Sequence, residues 1–190
     1  RFEQALRADA ITGHEVIEMA TMYVGGKVCT EDRDVLRKVR DVLLAAKPNW
    51  VSIDYGIGER MANEDWAASM AWSGAALKAR LANPKVKMGF PKEGFTFFMD
   101  NAALLANAKN VDNAYLFLNF IMEPENAGLI SAFAGYSNAI KGTAKFMPEK
   151  MRGAPEIDPP AELAAAGRFA PLCSKKAQEL KTAIWSEVMK

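Results

Sequence analysis

A short segment of the sequence places aromatic side chains next to a carboxylate. Residues 95–99 alternate in a way typical of a β-strand, so Phe98 and Asp100 are expected on one face. The other face holds three apolar side chains that are expected in the core, Phe95, Phe97 and Met99. A ring beside a carboxylate suits an alkylammonium ligand, since the ring attracts the cation by about 0.5–2 kcal/mol. The carboxylate adds a charge-assisted hydrogen bond worth about 1.5–3 kcal/mol. The simpler alternative is that Asp100 caps a turn and Phe98 belongs to the core.

Three further side chains follow predicted strands or a helix cap, where a cleft could form. Trp72 ends a predicted strand over 67–72, and ligands in open α/β sheets bind beyond the carboxyl ends of strands. Tyr136 lies in a loop after the helix-ending Gly135, and Asp54 follows a predicted strand over 50–53. Each has a structural alternative, a core position for Trp72 and ordinary packing for Tyr136. The predicted ligand-binding residues are Trp72, Phe98, Asp100, Tyr136 and, more weakly, Asp54.

Residues for catalysis or metal binding are scarce. The chain has one histidine and two cysteines, too few for a His/Cys zinc centre, and no phosphate-binding or nucleophile motif. We expect His14 to be a polar residue in the first turn of a helix. Cys29 and Cys173 allow one disulfide without requiring it. The sequence therefore predicts neither an enzyme, nor a metal, nor a cofactor.

The composition is that of an ordinary globular protein. The 190 residues are 50% hydrophobic and 25% charged, enough to bury a core. Lys and Arg total 24 against 23 for Asp and Glu, so the formal net charge is +1. This balance gives no electrostatic reason to expect nucleic acid or an anionic membrane as a partner.

Hydrophobic periodicity predicts alternating strands and helices. Helices are expected near residues 16–24, 35–43, 57–62, 75–81, 112–122, 125–134, 160–166 and 175–188. Thr30 is the predicted N-cap of the second helix and Ser174 that of the last. Strands are expected at 50–53, 67–72, 86–90 and 95–99, with another at 102–105. This alternation predicts an α/β fold with a sheet covered by helices.

An ordered set of short motifs resembles the polyamine-binding proteins of bacterial ABC importers. None is specific alone, but their order and spacing from about Val16 to the C terminus match that family. They are residues 61–63, 71–74, 90–94, 98–100, 106–110 and 117–120, then Pro124 and the pair 135–136.

The resemblance implies a type II periplasmic-binding-protein lobe, from a two-lobed protein that closes by a hinge and delivers its ligand to a membrane permease. It implies a location in the periplasm and a spermidine- or putrescine-type ligand between the lobes. In the family pattern Trp72 and Phe98 are aromatic walls, Asp100 holds an amine and Tyr136 is a further ring. Asp54 falls near a polar contact.

The sequence departs from that family in one important residue. Many members carry an acidic residue three positions after the strand tryptophan, where this chain has Ala75. The alternative is therefore the same fold binding a non-polyamine solute, such as an opine-like or amino-acid-derived compound or an organic acid.

The chain is also shorter than a complete member of the family. We expect a fragment, or a chain from which a leader was removed, that starts inside the second lobe. Residues 1–105 would form a second-lobe segment, and residues 106–190 a mostly helical segment that partly returns to the first lobe. A true fragment could self-associate or swap elements with another copy.

Overall fold

The computed structural model describes residues 8–9, 13–53, 56–169 and 171–190, which form eight α-helices and four short strands. The helices are α1 (Gly13–Tyr23), α2 (Arg33–Ala46), α3 (Ile57–Ala62), α4 (Ser73–Ala82), α5 (Val111–Met122), α6 (Pro124–Ala134), α7 (Ala161–Ala164) and α8 (Lys175–Val188). The strands are β1 (Ala8–Asp9), β2 (Trp50–Ser52), β3 (Phe95–Phe97) and β4 (Gly167–Phe169).

The main hydrophobic core joins the beginning of the chain to its end. Helices α1, α2 and α8 pack against one another through buried aliphatic side chains, Val16, Ile17, Ala20, Leu36, Val39, Leu43, Ile184 and Val188. Their helical spacing gives each helix one apolar face, which explains why the sequence predicts all three. The last helix of the described chain therefore lies beside its first.

Local capping residues begin and end these helices. Asp32, rather than the predicted Thr30, caps α2, because its carboxylate accepts hydrogen bonds from the amides of Asp34 and Val35. Ser174 caps α8 as predicted, by accepting from the amide of Ala177. Gly135 ends α6 in the left-handed conformation (φ 83°) that glycine adopts without a steric cost.

The strands form two small parallel sheets. β1 pairs with β2, and β3 pairs with β4 so that Phe95 lies opposite Gly167 and Phe97 opposite Phe169. The predicted strands at 67–72, 86–90 and 102–105 are wrong, since the backbone there is irregular. A strand needs a partner to satisfy its backbone groups, and short apolar runs do not reveal whether one exists.

The segment after β3 also differs from the sequence prediction. Residues 95–97 are all half-buried, so Phe95 and Phe97 are not fully in the core, and Met99 is exposed. The strand ends where its pairing with β4 ends.

The disulfide that the sequence left open is formed. Cys29, in the turn between α1 and α2, is bonded to Cys173, just before α8, with their Cα atoms 5.1 Å apart. It links two segments that lie 144 residues apart in the sequence.

Helices α5 and α6 carry an exposed apolar face. No residue of α5 is buried, and Phe133 of α6 is 90% exposed. Other members of this face are Leu116, Phe117, Phe120, Leu129 and Ile130. Exposed apolar side chains in such number on two successive helices are typical of a surface that packs against another polypeptide.

A second core under α4 contains a buried ion pair. Arg80 donates to both carboxylate oxygens of Glu156, at 2.7 and 3.0 Å, and the Glu156 side chain is buried. Burial opposes ionisation, but the hydrogen bonds from Arg80 and from the backbone hold the pKa of Glu156 below its usual value. This stabilisation is present above the unfolded-state pKa of about 4.3 and is lost as the pH falls through the lower folded-state pKa.

We predict that Glu156→Gln lowers the free energy of unfolding at pH 7 by about 2–3 kcal/mol, because Arg80 loses its charged partner while remaining partly buried. In urea denaturation, the Glu156→Gln variant should also lose less stability in acid than the wild type loses. Glu64→Gln is the matched control, since Glu64 pairs with Lys85 on the surface and its loss should leave the stability nearly unchanged. Equal stability of the two variants would contradict a structural role for the Arg80–Glu156 pair.

Candidate functional site

The beginning of α4 positions the first site residue. Trp72 is the N-cap residue of α4 with an extended backbone (φ −69°, ψ 147°), so its indole projects from the junction of loop and helix. One part of the ring packs on the small cluster of Ile57 and Trp66. The indole Nε1 donates a hydrogen bond of 2.6 Å to Glu15 Oε1, on α1. Trp72 is thus half-buried, and its indole is held both by packing and by a hydrogen bond to a carboxylate.

Phe98 lies next to Trp72. The two ring centroids are 6.3 Å apart and the ring planes meet at 64°, an edge-on arrangement. Phe98 is 56% exposed, so the alternative that it belongs to the core is wrong. The two rings form an aromatic corner in which Phe98 keeps much of its surface exposed.

Asp100 is exposed at the end of the segment that follows β3. The local turn is closed by the side chain of Asn101, whose Nδ2 donates to the carbonyl of Met99 at 2.8 Å. The structure therefore gives no support to a capping role for Asp100 there.

The Tyr136 side chain, which follows the end of α6, also lies near the beginning of α4. A Cβ atom built on Gly74 would lie 2.6–3.0 Å from three ring carbons of Tyr136, so the ring lies directly against the first turn of α4. Burial, and next the negative charge of Asp100, raise the pKa of the Tyr136 hydroxyl above its usual value. The negative charge of Asp100 is therefore close enough to act on the Tyr136 hydroxyl. The beginning of α4 is therefore where Trp72, Phe98, Asp100 and Tyr136 converge.

Glu15 is the site residue that sequence reasoning missed. It lies in the first turn of α1 and 57 residues from the tryptophan whose indole it accepts from. An acidic residue there is explained equally well by the helix dipole, so its type and position carried no signal of a site. Only the tertiary structure, which brings the first turn of α1 to the N-cap residue of α4, shows that Glu15 also contacts the indole.

Two further residues singled out in the sequence are Asp54 and His14. Asp54 lies outside the described residues. His14 lies in the first turn of α1 as expected, with its Nε2 2.8 Å from Glu18 Oε1.

Within the described ranges no group of three His, Cys, Asp or Glu side chains could hold a metal ion. The described helices are also too short or too polar to cross a bilayer.

The site combines aromatic surface with negative charge. Trp72, Phe98 and Tyr136 provide rings whose faces attract cations, and Glu15 and Asp100 provide two carboxylates. This arrangement is suited to hold protonated amines on a short alkyl chain.

Comparison with known proteins identifies the class. The sequence model of the bacterial extracellular solute-binding proteins matches residues 8–159, and the chain belongs to this family. The family predicted from the sequence motifs is thereby confirmed.

Two curated relatives are similar in sequence to most of this chain. The putrescine-binding periplasmic protein PotF of Escherichia coli is 33% identical over 184 residues, which cover 92% of this chain and 49% of PotF. The spermidine/putrescine-binding periplasmic protein of Salmonella typhimurium is 27% identical over 159 residues, 82% of this chain and 45% of that protein. The chain thus spans about half the length of these curated relatives.

A solved structure shows the same fold. The spermidine/putrescine ABC transporter substrate-binding protein PotD of Streptococcus pneumoniae superposes with a TM-score of 0.82 at 22% identity. The match covers 96% of this chain and 57% of that chain. The predicted α/β fold of the type II periplasmic binding proteins is confirmed, with a chain that corresponds to part of such a protein.

The contact of Gly74 with Tyr136 leads to a prediction. Gly74→Ala places a methyl group inside the Tyr136 ring contact, so the ring must move away from α4, and stability should fall by about 1–3 kcal/mol. Thermal unfolding measures the loss, and the fluorescence of Trp72 reports the disturbed neighbourhood. Gly58→Ala in α3 is the control, because its nearest contact is 3.9 Å and alanine improves helix propensity. An equally stable Gly74→Ala would show that Tyr136 is not packed there.

Proposed function

We propose that this chain forms the ligand-binding wall of the solute-binding component of an ABC importer for a polyamine or a related cationic amine. The observation that carries the proposal is the convergence of Trp72, Phe98, Asp100 and Tyr136 at the beginning of α4, with Glu15 behind the indole. The names of the relatives, putrescine- and spermidine/putrescine-binding periplasmic proteins, support the ligand class.

Each side chain has a distinct role in this proposal. The Trp72 and Phe98 rings cover the methylene chain of the ligand and attract its ammonium group. Asp100 accepts a charge-assisted hydrogen bond from that ammonium. Tyr136 is protonated at neutral pH, since its pKa is raised, and presents a hydroxyl that accepts or donates a hydrogen bond at the same end. Asp54 is retained as a weaker polar contact.

Glu15 compensates in part for the acidic residue that many family members carry where this chain has Ala75. One Glu15 oxygen accepts from the Trp72 indole, so a carboxylate lies directly behind the aromatic wall. We propose that its charge attracts the same ligand that Asp100 binds. A cleft with two carboxylates favours a ligand with two ammonium groups over one with a single charge.

We propose that the facing wall of the cleft comes from the half of the relatives that this chain does not span. The exposed apolar face of α5 and α6 supports this, because a surface that includes Phe133 and Leu116 is suited to pack against another part of a two-lobed protein. The protein would act in the periplasm and deliver its ligand to a membrane permease. A wall without its opposite side should bind weakly, since losing about 4 kcal/mol of contacts raises the Kd roughly a thousandfold.

Titration of the 190-residue chain tests the ligand class. Putrescine and spermidine should shift the side-chain NMR signals of Trp72 at millimolar concentration, whereas a dicarboxylate of the same length should not. Trp72 signals that no amine moves would contradict the proposal.

The alternative is the same fold with a non-polyamine solute, and Ala75 is the observation that favours it. A competition series separates the two ligand classes. It should contain putrescine, arginine, an opine-like amino acid conjugate and succinate. Binding of succinate in preference to putrescine would establish the alternative.

A further inference from the structure

A buried charged cluster lies against the disulfide and plays no part in the proposed ligand site. Lys181 of α8 has its Nζ 3.0 Å from Glu18 Oε1 and 3.1 Å from Cys173 Sγ. Lys181 and Glu18 are only 4% and 1% exposed. An ammonium group held in the protein interior against a half-cystine sulfur is placed to stabilise negative charge on that sulfur.

The two sulfurs of the disulfide have different surroundings. Cys173 is buried, at 6% exposed, and carries the Lys181 contact. Cys29 is half-buried, in the turn between α1 and α2. Among the described residues, the ammonium contact falls on Cys173 and not on Cys29. Access therefore favours attack on Cys29, and charge stabilisation favours departure of Cys173.

We propose that Cys29–Cys173 is a site of directed thiol–disulfide exchange, in which a thiol reductant attacks Cys29 and Cys173 leaves as the thiolate. The attacking thiolate forms a new S–S bond to Cys29 Sγ while the bond between the two protein sulfurs breaks. The electron pair of that bond passes to Cys173 Sγ, beside the Lys181 ammonium. The product is a mixed disulfide on Cys29 and a thiolate on Cys173.

A reductant with two thiols completes the reaction. Its second thiolate attacks the reductant's own sulfur in the mixed disulfide, and Cys29 departs as a thiolate that takes up a proton from water. The reductant becomes a disulfide as the two cysteines are reduced, so the electrons balance. The partner class is thus a dithiol oxidoreductase, whose second thiol is already in place, whereas a monothiol completes the reaction only when a second molecule attacks the mixed disulfide.

Attack on the other sulfur is the competing route. A cavity of about 420 Å³ borders Cys173 together with His14, Leu172 and Lys181. A thiolate that entered it would be attracted by the same ammonium, and it would release Cys29, which lacks that contact. The identity of the cysteine that receives the reductant therefore decides the proposal.

The direct test uses reduced glutathione on the wild-type 190-residue chain. Samples are quenched with acid early in the reaction, alkylated and analysed by peptide mass spectrometry. We expect glutathione on Cys29 and the alkyl group on Cys173, with this product in about tenfold excess over the reverse, because the stabilised thiolate is the better leaving group. Equal amounts of the two products, or glutathione mainly on Cys173, would overturn the proposal.

Substitution of the lysine tests the cause of the direction. Lys181→Met should slow the first exchange step by about three- to tenfold, because the leaving thiolate loses its cation. Lys176→Met is the matched control, since Lys176 is exposed on the same helix and pairs with Glu31, and it should leave the rate unchanged. An unchanged rate in Lys181→Met would remove Lys181 from the proposal.

A double variant covers the case in which the single change does not fold. Lys181→Met leaves Glu18 buried without its ammonium, whereas Glu18→Leu with Lys181→Met removes both charges. The double variant should react as slowly as the single one, and a wild-type rate in it counts against the proposal. If neither variant folds, the site of glutathione addition in the wild type still tests the proposal.

Discussion

Asp100→Asn is expected to raise the Kd for putrescine at least about tenfold, because a charge-assisted hydrogen bond worth about 1.5–3 kcal/mol becomes a neutral one. The reason lies in the geometry of the site. Asp100 is exposed, its charge is close enough to act on Tyr136, and the hydrogen bond of the neighbouring turn comes from Asn101. The change should therefore affect ligand binding and leave the fold intact. NMR titration with putrescine measures the Kd, and thermal unfolding checks the fold.

Asp34→Asn is the matched control for Asp100. It removes the same charge from the exposed first turn of α2, where Asp34 pairs with Arg37. Its Kd should stay within about twofold of the wild type, as expected for a screened surface charge. If both variants bind putrescine as the wild type does, Asp100 has no part in the site. If both bind equally weakly, the effect is one of net charge and not of contact.

The second large effect is expected from the disulfide. Replacing Cys29 and Cys173 together with serine should lower the free energy of unfolding by about 2–5 kcal/mol, near the upper end because the bond closes a very long loop. The cysteines are separated by 144 positions in the sequence, and the segment between them includes most of the described fold, so the unfolded chain gains much freedom when the bond is absent. Urea denaturation under non-reducing conditions measures the loss.

The wild type with its disulfide reduced is the control for this double variant. Its stability should fall nearly to that of the variant, whereas a reductant should not change the stability of the variant itself. A variant as stable as the oxidised wild type would show that packing of α1, α2 and α8 alone holds the two segments together. This experiment concerns stability, and the direction of exchange is tested separately by the site of glutathione addition.

Helices were the elements that the sequence predicted best. The predicted helix over 57–62 coincides with α3, and the predicted cap and apolar face of α8 are both present. Helical hydrogen bonds and caps are local, so the residues within one segment contain most of the information needed. Strands were predicted poorly, and three of the five proposed are irregular backbone. A strand depends on a partner distant in sequence, such as β4 for β3.

The same division applies to the site. Residue types and motif order were enough to predict the family and to select Trp72, Phe98, Asp100 and Tyr136 as candidates, although the strand predicted before Trp72 is absent. Tertiary structure alone brought these four together, added Glu15 behind the indole and placed Met99 outside the core. It also joined Cys29 to Cys173 and set Lys181 against one of the two sulfurs. Contacts of that kind depend on how separate helices pack, and the spacing of residues along one chain does not record which helices become neighbours.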